Sequence, residues 1–254
     1  MGAHVRCTIE GPLGRITLDR PPLNILTTAM MQDLAAELDR VAALAAVRVV
    51  TIDAEGKAFC AGVDVADHEG DLVGPMMDAL RQLFEALASV SVPIVSLVHG
   101  AALGGGCELV LGTDVTLASE KATFGQPEIR LGLFAPPASV LLPRIVGERR
   151  ATALLLSGET IPAAEAQAIG IVHRVFPAET FANDAGAWLG KMLEMSGPAL
   201  RLAKRAIVAG RGCEESVAQR KVQALYLDEL MRTDDANEGV SAFLAKRPPV
   251  WKHR

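Results

Sequence analysis

Alternating apolar and polar residues mark two strands at the start of the chain, over 5–10 and 15–19. They are joined through Gly11-Pro12-Leu13-Gly14, a turn signal. The period then changes. After Pro21-Pro22, Thr27 or Thr28 is placed to cap a helix whose apolar face runs Met30, Leu34, Leu38, Val41 and Leu44. Residues 48–52 predict a short buried strand and 56–74 a loop-rich stretch. Met76, Leu80, Leu83, Phe84 and Leu87 form the stripe of a second helix. A strand over 93–98, a short helix over 104–111 and a strand over 114–118 follow. Strands and helices alternating at this spacing predict β–α–β units with right-handed crossovers.

From about Ala138 the strand signal nearly vanishes. Residues 139–146, 148–156, 163–168, 179–195, 198–209 and 214–231 carry helical patterns, with Gly147, Gly158 and Gly170 as stops. The expectation is an α/β core over 1–195 followed by a helical C-terminal region over 196–254, of the kind that packs on a neighbouring subunit. No repeat of solenoid type interrupts this plan.

Composition narrows the function classes. Half of the 254 residues are apolar and about a fifth are charged, which suits one substantial core. A net charge of −5 argues against a general nucleic-acid binder. Cys7, Cys60, Cys107 and Cys213 are scattered, with no C-x-x-C and no histidine at ligand spacing, so neither a disulfide framework nor a metal site is expected. The first twenty residues have no uninterrupted apolar run, and the apolar stretch over 41–52 is broken by Arg48. Neither a secretory signal nor a membrane span is expected, and the cytoplasm is the expected location.

Against this ordinary background two carboxylates stand out. Glu108 lies in Leu103-Gly104-Gly105-Gly106-Cys107-Glu108-Leu109 and Glu128 in Phe124-Gly125-Gln126-Pro127-Glu128. Both sit in surroundings that otherwise read as core, where an ionised carboxylate needs a partner or a task. Such a pair suits general acid–base chemistry, one carboxyl giving a proton and the other taking one. Three glycines between a strand and a helix leave backbone N–H groups open to a ligand, and the helix start favours a developing oxyanion there. Glu108, three residues after Gly105, falls on about the same helix face. A triple glycine is equally a tight strand–helix turn with Glu108 capping local amides. The run Lys57-Ala58-Phe59-Cys60-Ala61-Gly62-Val63-Asp64 permits an exposed backbone able to bind a base edge or donate a second N–H, but taken alone it reads first as a plain loop.

In combination these segments resemble the enoyl-CoA hydratase/isomerase (crotonase) superfamily. The motifs are Ala58-Phe59-Cys60-Ala61-Gly62-Val63-Asp64, His99-Gly100-Ala101-Ala102-Leu103-Gly104-Gly105-Gly106-Cys107-Glu108-Leu109, Phe124-Gly125-Gln126-Pro127-Glu128-Ile129 and Arg130-Leu131-Gly132-Leu133, in that order. The likeness continues through Leu156-Ser157-Gly158, Ala164-Glu165-Ala166 and Gly170-Ile171-Val172 to Glu238-Gly239-Val240-Ser241-Ala242-Phe243-Leu244-Ala245-Lys246-Arg247.

The resemblance implies an α/β fold, a spiral of ββα units with a helical C-terminal trimerisation region, assembled as a homotrimer or dimer of trimers. It implies an oxyanion hole from the backbone N–H groups of Val63 and Gly105, and an acyl-CoA thioester as substrate. Ala58, Phe59, Ala61, Gly62, Asp64 and Val65 would lie along the CoA adenine and acyl entrance, and Phe243 and Lys246 would reach a neighbour's CoA. Phe243 and Lys246 also read as a packed aromatic and a solvated lysine. Hydratases of the family resemble this chain in having both acids. Glu108 would deprotonate the water that attacks the β-carbon, and Glu128 would protonate the α-carbon. No metal, flavin or nicotinamide is called for. An isomerase on the same scaffold, with one glutamate shuttling a proton, is the alternative reaction; a non-catalytic RNA or partner binder is a third class that the acidic charge disfavours.

Two segments depart from straight-chain hydratases. Their glycine-rich P-G-x-G-G-T-Q-R-L run is replaced here by Phe134-Ala135-Pro136-Pro137-Ala138-Ser139-Val140-Leu141-Leu142-Pro143, a stiffer and bulkier wall. After Asp64 comes Val65-Ala66-Asp67-His68-Glu69, where His68 is either a substrate contact or a solvent-exposed loop residue. Both departures look like cyclohexa-1,5-diene-1-carbonyl-CoA hydratases. A short-chain 2-enoyl-CoA is the alternative substrate.

Overall fold

Strand periodicity and helix stripes sort the side chains into two layers on either face of one sheet. The computed structural model describes residues 4–254. Strands β1 (Val5–Glu10) and β2 (Leu13–Leu18) form an antiparallel pair. Helix α1 (Thr28–Ala42) starts from Thr27, whose side chain accepts from Met30 N, and leads to β3 (Val49–Ala54). Helix α2 (Val73–Ser89) leads to β4 (Ile94–Val98). The short strand β5 (Ala101–Leu103), helix α3 (Gly105–Leu111), β6 (Val115–Ser119) and β7 (Thr123–Gly125) come next. Helices α4 (Pro136–Val146) and α5 (Glu148–Ser157), β8 (Thr160–Pro162), α6 (Ala163–Ala168), β9 (Arg174–Phe176) and α7 (Phe181–Leu193) complete the α/β part.

The large sheet has the order β1-β2-β3-β4-β6-β9 and is parallel from β2 onward. Period two decides which face each strand residue serves. Ile16, Leu18, Val50, Ile52, Ile94 and Val98 turn to the main core beneath α1 and α2. Leu13, Val49, Val95 and Leu117 turn the other way and meet Ala185 and Leu189 of α7.

The small sheet, in the order β5-β7-β8, positions the site. β5 and β7 run parallel, and Cys60 adds a third parallel rung through a bridge to Ala102. This corrects the expectation of an unpacked run over 58–64. Ala58, Phe59 and Cys60 are buried, because Cys60 N donates to Ala101 O at 3.0 Å and Leu103 N to Cys60 O at 2.9 Å. Beyond them Ala61, Val63 and Asp64 are partly exposed and Gly62 is buried.

The C-terminal region is helical as expected: α8 (Gly197–Ala209), α9 (Glu215–Ala224) and α10 (Asp234–Leu244). The helix expected over 214–231 is not continuous. It loosens into a π turn at Leu225–Glu229 and tightens into a 3-10 turn at Leu230–Arg232. Arg201 on α8 donates to Ser91 Oγ at 2.9 Å and Val47 O at 2.7 Å, clasping the helix to the strand starts of the large sheet. The last residues fold back, with Trp251 Nε1 donating to Glu194 O at 2.9 Å and Lys252 N to Asp235 at 2.7 Å. No described helix is long and apolar enough to cross a membrane.

Candidate active site

Three neighbouring parallel segments end at one edge of the small sheet, and their ends carry the candidate groups. β5 turns through Gly104 into α3, while β7 runs out through Gln126 into a 3-10 turn, Pro127–Leu131. Gly104 N donates to Gly125 O at 2.9 Å, so the two exits are locked side by side. This is why carboxylates twenty positions apart in sequence share one space.

Gly104 takes φ +51° and ψ −128°, a conformation open to glycine alone. A Cβ there would also lie 2.7 Å from Glu128 Oε1, so the Glu128 carboxyl rests on the bare Gly104 backbone. The Cβ position of Gly105 is 3.3 Å from Val63 N, which places the two expected oxyanion donors next to each other. Among the described residues, neither the Val63 nor the Gly105 N–H has a backbone acceptor. The neighbouring Asp64 N and Ala61 N are taken, by Leu26 O and Leu23 O. Val63 and Gly105 are the two residues to which the family resemblance assigns the oxyanion hole.

Glu108 is 2% exposed on the buried helix α3. Its Oε1 accepts from Ala138 N at 2.9 Å, and among the described residues no second donor reaches the carboxyl. The Pro136-Pro137 pair starts α4 and leaves Ala138 N as an unused first-turn donor aimed at Glu108. Burial pushes the Glu108 carboxyl up to about 8; the Ala138 N–H pulls the other way, and the nearby Glu128 adds to the rise. Glu128 is half-buried and also raised by burial, opposed by its own backbone N–H and by the charge of His68. Gln126, 2% exposed, presents its amide nitrogen 3.3 Å from both Glu128 oxygens when oriented to donate.

A cavity of about 210 Å³ opens beside this pair, lined by Gln126, Glu128, Ile129, Ala135, Leu155 and the lip residue Phe134. Phe134 is 70% exposed, so the reshaped wall presents an aromatic ring at the mouth rather than filling the pocket. Gly62, Val63 and Asp64 carry the donor beside Gly105 and are not among the residues that line this cavity, and Val65 is exposed at the start of a 3-10 turn, Val65–His68. Phe243 and Lys246, at the end of α10, do not line the cavity in their own chain, and Phe243 is 83% exposed rather than packed. His68 is half-buried, not the free loop residue that one of its two readings expected.

Three participants escaped the sequence reading. Gln126 was visible only as part of a turn motif. The Ala138 N–H follows from the paired prolines. Asn24, fully buried, donates to Glu55 O at 2.6 Å and Ala58 O at 2.9 Å and so fixes the loop that leads to Val63.

Known proteins point the same way as this geometry. The family model described as enoyl-CoA hydratase/isomerase matches residues 8–254. The chain is 39% identical over 246 residues to the cyclohexa-1,5-dienecarbonyl-CoA hydratase of Thauera aromatica, covering 96% of this chain and 95% of that one. It is 38% identical over 244 residues to the 2,3-dehydroadipyl-CoA hydratase of Escherichia coli K12, covering 94% of each. The crystal structure of an enoyl-CoA hydratase from Bacillus anthracis superposes with a TM-score of 0.93 at 30% identity, covering 99% of this chain and 100% of that one. The chain belongs to the enoyl-CoA hydratase/isomerase family and is an enzyme of its hydratase branch.

Proposed function

We propose that this enzyme adds water across a conjugated C=C of a CoA thioester, with cyclohexa-1,5-diene-1-carbonyl-CoA as the favoured substrate. One observation carries the reaction: two adjacent unengaged N–H groups, of Val63 and Gly105, beside the buried Glu108 and half-buried Glu128 carboxyls, which lie close enough for one charge to act on the other. The thioester oxygen accepts both N–H groups, and charge gathers on it as the enolate forms. Losing one such donor costs on the order of 10²–10³ in rate. Water bonds the distal alkene carbon, one carboxylate takes its proton, and the other carboxylic acid protonates the α-carbon. Atoms balance without a redox or metal cofactor; CoA belongs to the substrate.

The family assignment makes Glu108 the base and Glu128 the acid. Burial favours the exchanged assignment, since a Glu108 carboxyl pushed up to about 8 holds its proton at neutral pH. In either case one carboxyl must be ionised and the other protonated when water adds.

The cyclic substrate is supported by likeness to the Thauera protein and by the rigid wall that begins at Phe134. A short linear 2-enoyl-CoA is the alternative. The bare Phe243 and Leu244 at the end of α10 support a homotrimer or dimer of trimers, in which Phe243 and Lys246 reach a neighbour's CoA beside the Ala58, Phe59 and Ala61 loop. The cytoplasm, where acyl-CoA is available, is the proposed location. Purified linear and cyclic enoyl-CoA thioesters, assayed in parallel with product mass, test the reading. Hydration adds the mass of water and removes the conjugated absorbance, fastest for the cyclic dienoyl thioester. A product of unchanged mass makes the enzyme an isomerase, and a linear preference overturns the cyclic assignment.

A further inference from the structure

Helix α10 ends in a conformation that most residues avoid. Lys246 N donates to Phe243 O at 3.1 Å and Arg247 N to Ala242 O at 3.0 Å, the paired bonds that close a helix through a left-handed residue. That residue is most often glycine, and here it is Lys246, at φ +53°. Such a backbone angle persists where its surroundings impose it.

Two sets of contacts impose it here. Glu238, on α10 itself, receives both arms of the Arg247 guanidinium, Nη1 on Oε1 at 2.6 Å and Nη2 on Oε2 at 2.9 Å. The same Oε1 accepts from Val250 N at 2.8 Å. The chain is thereby drawn back along the helix it has just left, and the reversal falls at Lys246. Arg247, with help from Val250 N, holds the Glu238 carboxyl down to about 2, so the clamp stays charged at neutral pH. Further along, Asp235, 2% exposed, accepts from Lys252 N at 2.7 Å and His253 N at 3.1 Å. The Trp251 ring lies against Gly239, where a Cβ would stand 3.3 Å from it.

The charges of this tail single out the same residue. Arg247 is paired with Glu238, while Lys252 and Arg254 reach Asp234 at 3.5 Å and 3.0 Å. Lys246 forms no ion pair among the described residues, and it follows the bare Phe243 and Leu244. A cation left free on a backbone held in an unfavourable angle is a cation kept for something outside its own chain.

We infer that Glu238 is a positioning residue: through Arg247 it fixes Lys246 at the end of α10, and so aims the cation that meets the nucleotide end of CoA on a neighbouring subunit. The inference rests on the proposed reach of Phe243 and Lys246 to a neighbour's CoA. A lysine stem is flexible, so fixing the backbone that carries it lowers the ordering cost of holding an anion. Glu238 acts only through Lys246 and has no part in the proton transfers.

The test compares one unsaturated acyl group carried on CoA and on pantetheine, which lacks the nucleotide. In Lys246→Gly, KM for the CoA thioester should rise roughly 5-fold to 10-fold, with kcat and the pantetheine KM near wild type. In Glu238→Ala the same KM should rise about 3-fold, again for the CoA thioester alone. Arg247→Met breaks the clamp from its other side and should match Glu238→Ala. Joined in one chain, Glu238→Ala and Lys246→Gly should raise KM no further than Lys246→Gly does by itself. An unchanged CoA KM in both clamp variants would overturn the inference. So would a rise shared by the two thioesters, or a double variant in which the effects multiply, since either marks general loosening. If Lys246→Gly leaves the CoA KM unchanged, the placement of α10 on a neighbour's CoA fails and this inference with it, while the hydratase reading is decided separately by product mass.

Discussion

Lys204 on α8 and Glu108 on α3 are both ionisable and both buried, yet their surroundings differ in kind. Lys204 Nζ donates to Val92 O at 3.0 Å and meets Asp114 Oδ2 at 2.7 Å, and the same Asp114 oxygen accepts from Ile94 N at 2.7 Å. Burial lowers the Lys204 pKa, but Asp114 opposes the fall. Glu108 has one N–H from Ala138 and, nearby, a second carboxyl that makes ionisation harder. A buried charge that is paired holds parts together; a buried carboxyl left short of partners keeps its proton negotiable. The helical C-terminal region is docked by the first kind, and the site is built from the second.

The largest effect separates the two kinds at Glu108. Glu108→Gln and Glu128→Gln keep shape and remove proton transfer, so each should lower kcat/KM by about 10³-fold, or about 4 kcal/mol. Steady-state hydration kinetics measure this, and two fully active variants would refute the paired-carboxyl mechanism. The same Glu108→Gln variant has an opposite effect on stability. A carboxyl whose folded pKa is raised binds a proton that the unfolded chain has lost, so wild-type stability falls as pH climbs from the ordinary carboxylate range to about 8 and is flat above. Glu108→Gln removes that fall and should gain stability relative to wild type at pH 8 over pH 5, by at most about 4 kcal/mol. Denaturant midpoints at the two pH values give the sign.

Lys204→Met breaks the comparison from the other side. It leaves Asp114 without its cation and Val92 O without its donor, at a cost of about 3 kcal/mol. Folded enzyme should retain wild-type KM and kcat, because nothing at Lys204 touches the cavity beside Glu128. Equal stability, or a selective loss of kcat, would show that the paired charge is not merely structural.

Much of this arrangement is legible in the sequence. Long elements declared themselves by period: α1 under its Thr27 cap, the α2 stripe, and the helix breaks at Gly147 and Gly158. The three-residue strands β5, β7, β8 and β9 did not, because so short a run cannot show a period of two against its neighbours. Those strands are what bring Glu108 and Glu128 together, so strand period could not place them; their core-like surroundings mark the pair, and the family resemblance assigns the roles. α10 is also hidden from pattern, since Asp234-Asp235-Ala236-Asn237 reads as a polar turn although Thr233 caps it. The π turn at Leu225–Glu229 was invisible for a related reason: its residues have ordinary helical composition, and the change lies only in the hydrogen-bond ladder.

Gln126 offers the finest cut between a paired and an unpaired group. Its amide sits 3.3 Å from both Glu128 oxygens, longer than a strong hydrogen bond, and its side chain is otherwise buried. A donor at that distance still favours the ionised carboxyl and limits the rotamers open to it. Replacing it with leucine, similar in size but without a donor, should raise the Glu128 pKa further and blur its aim. The expected loss is roughly 10-fold in kcat, about 1.4 kcal/mol, with KM nearly unchanged. The pH profile should move to the alkaline side as the carboxyl becomes harder to ionise. A Gln126→Glu variant moves the same quantity further, since a third carboxyl beside Glu128 raises its pKa by charge as well as by the lost donor. If both variants keep the wild-type profile, Glu128 is oriented by its rest on Gly104 and by its backbone alone, and Gln126 is a packing residue.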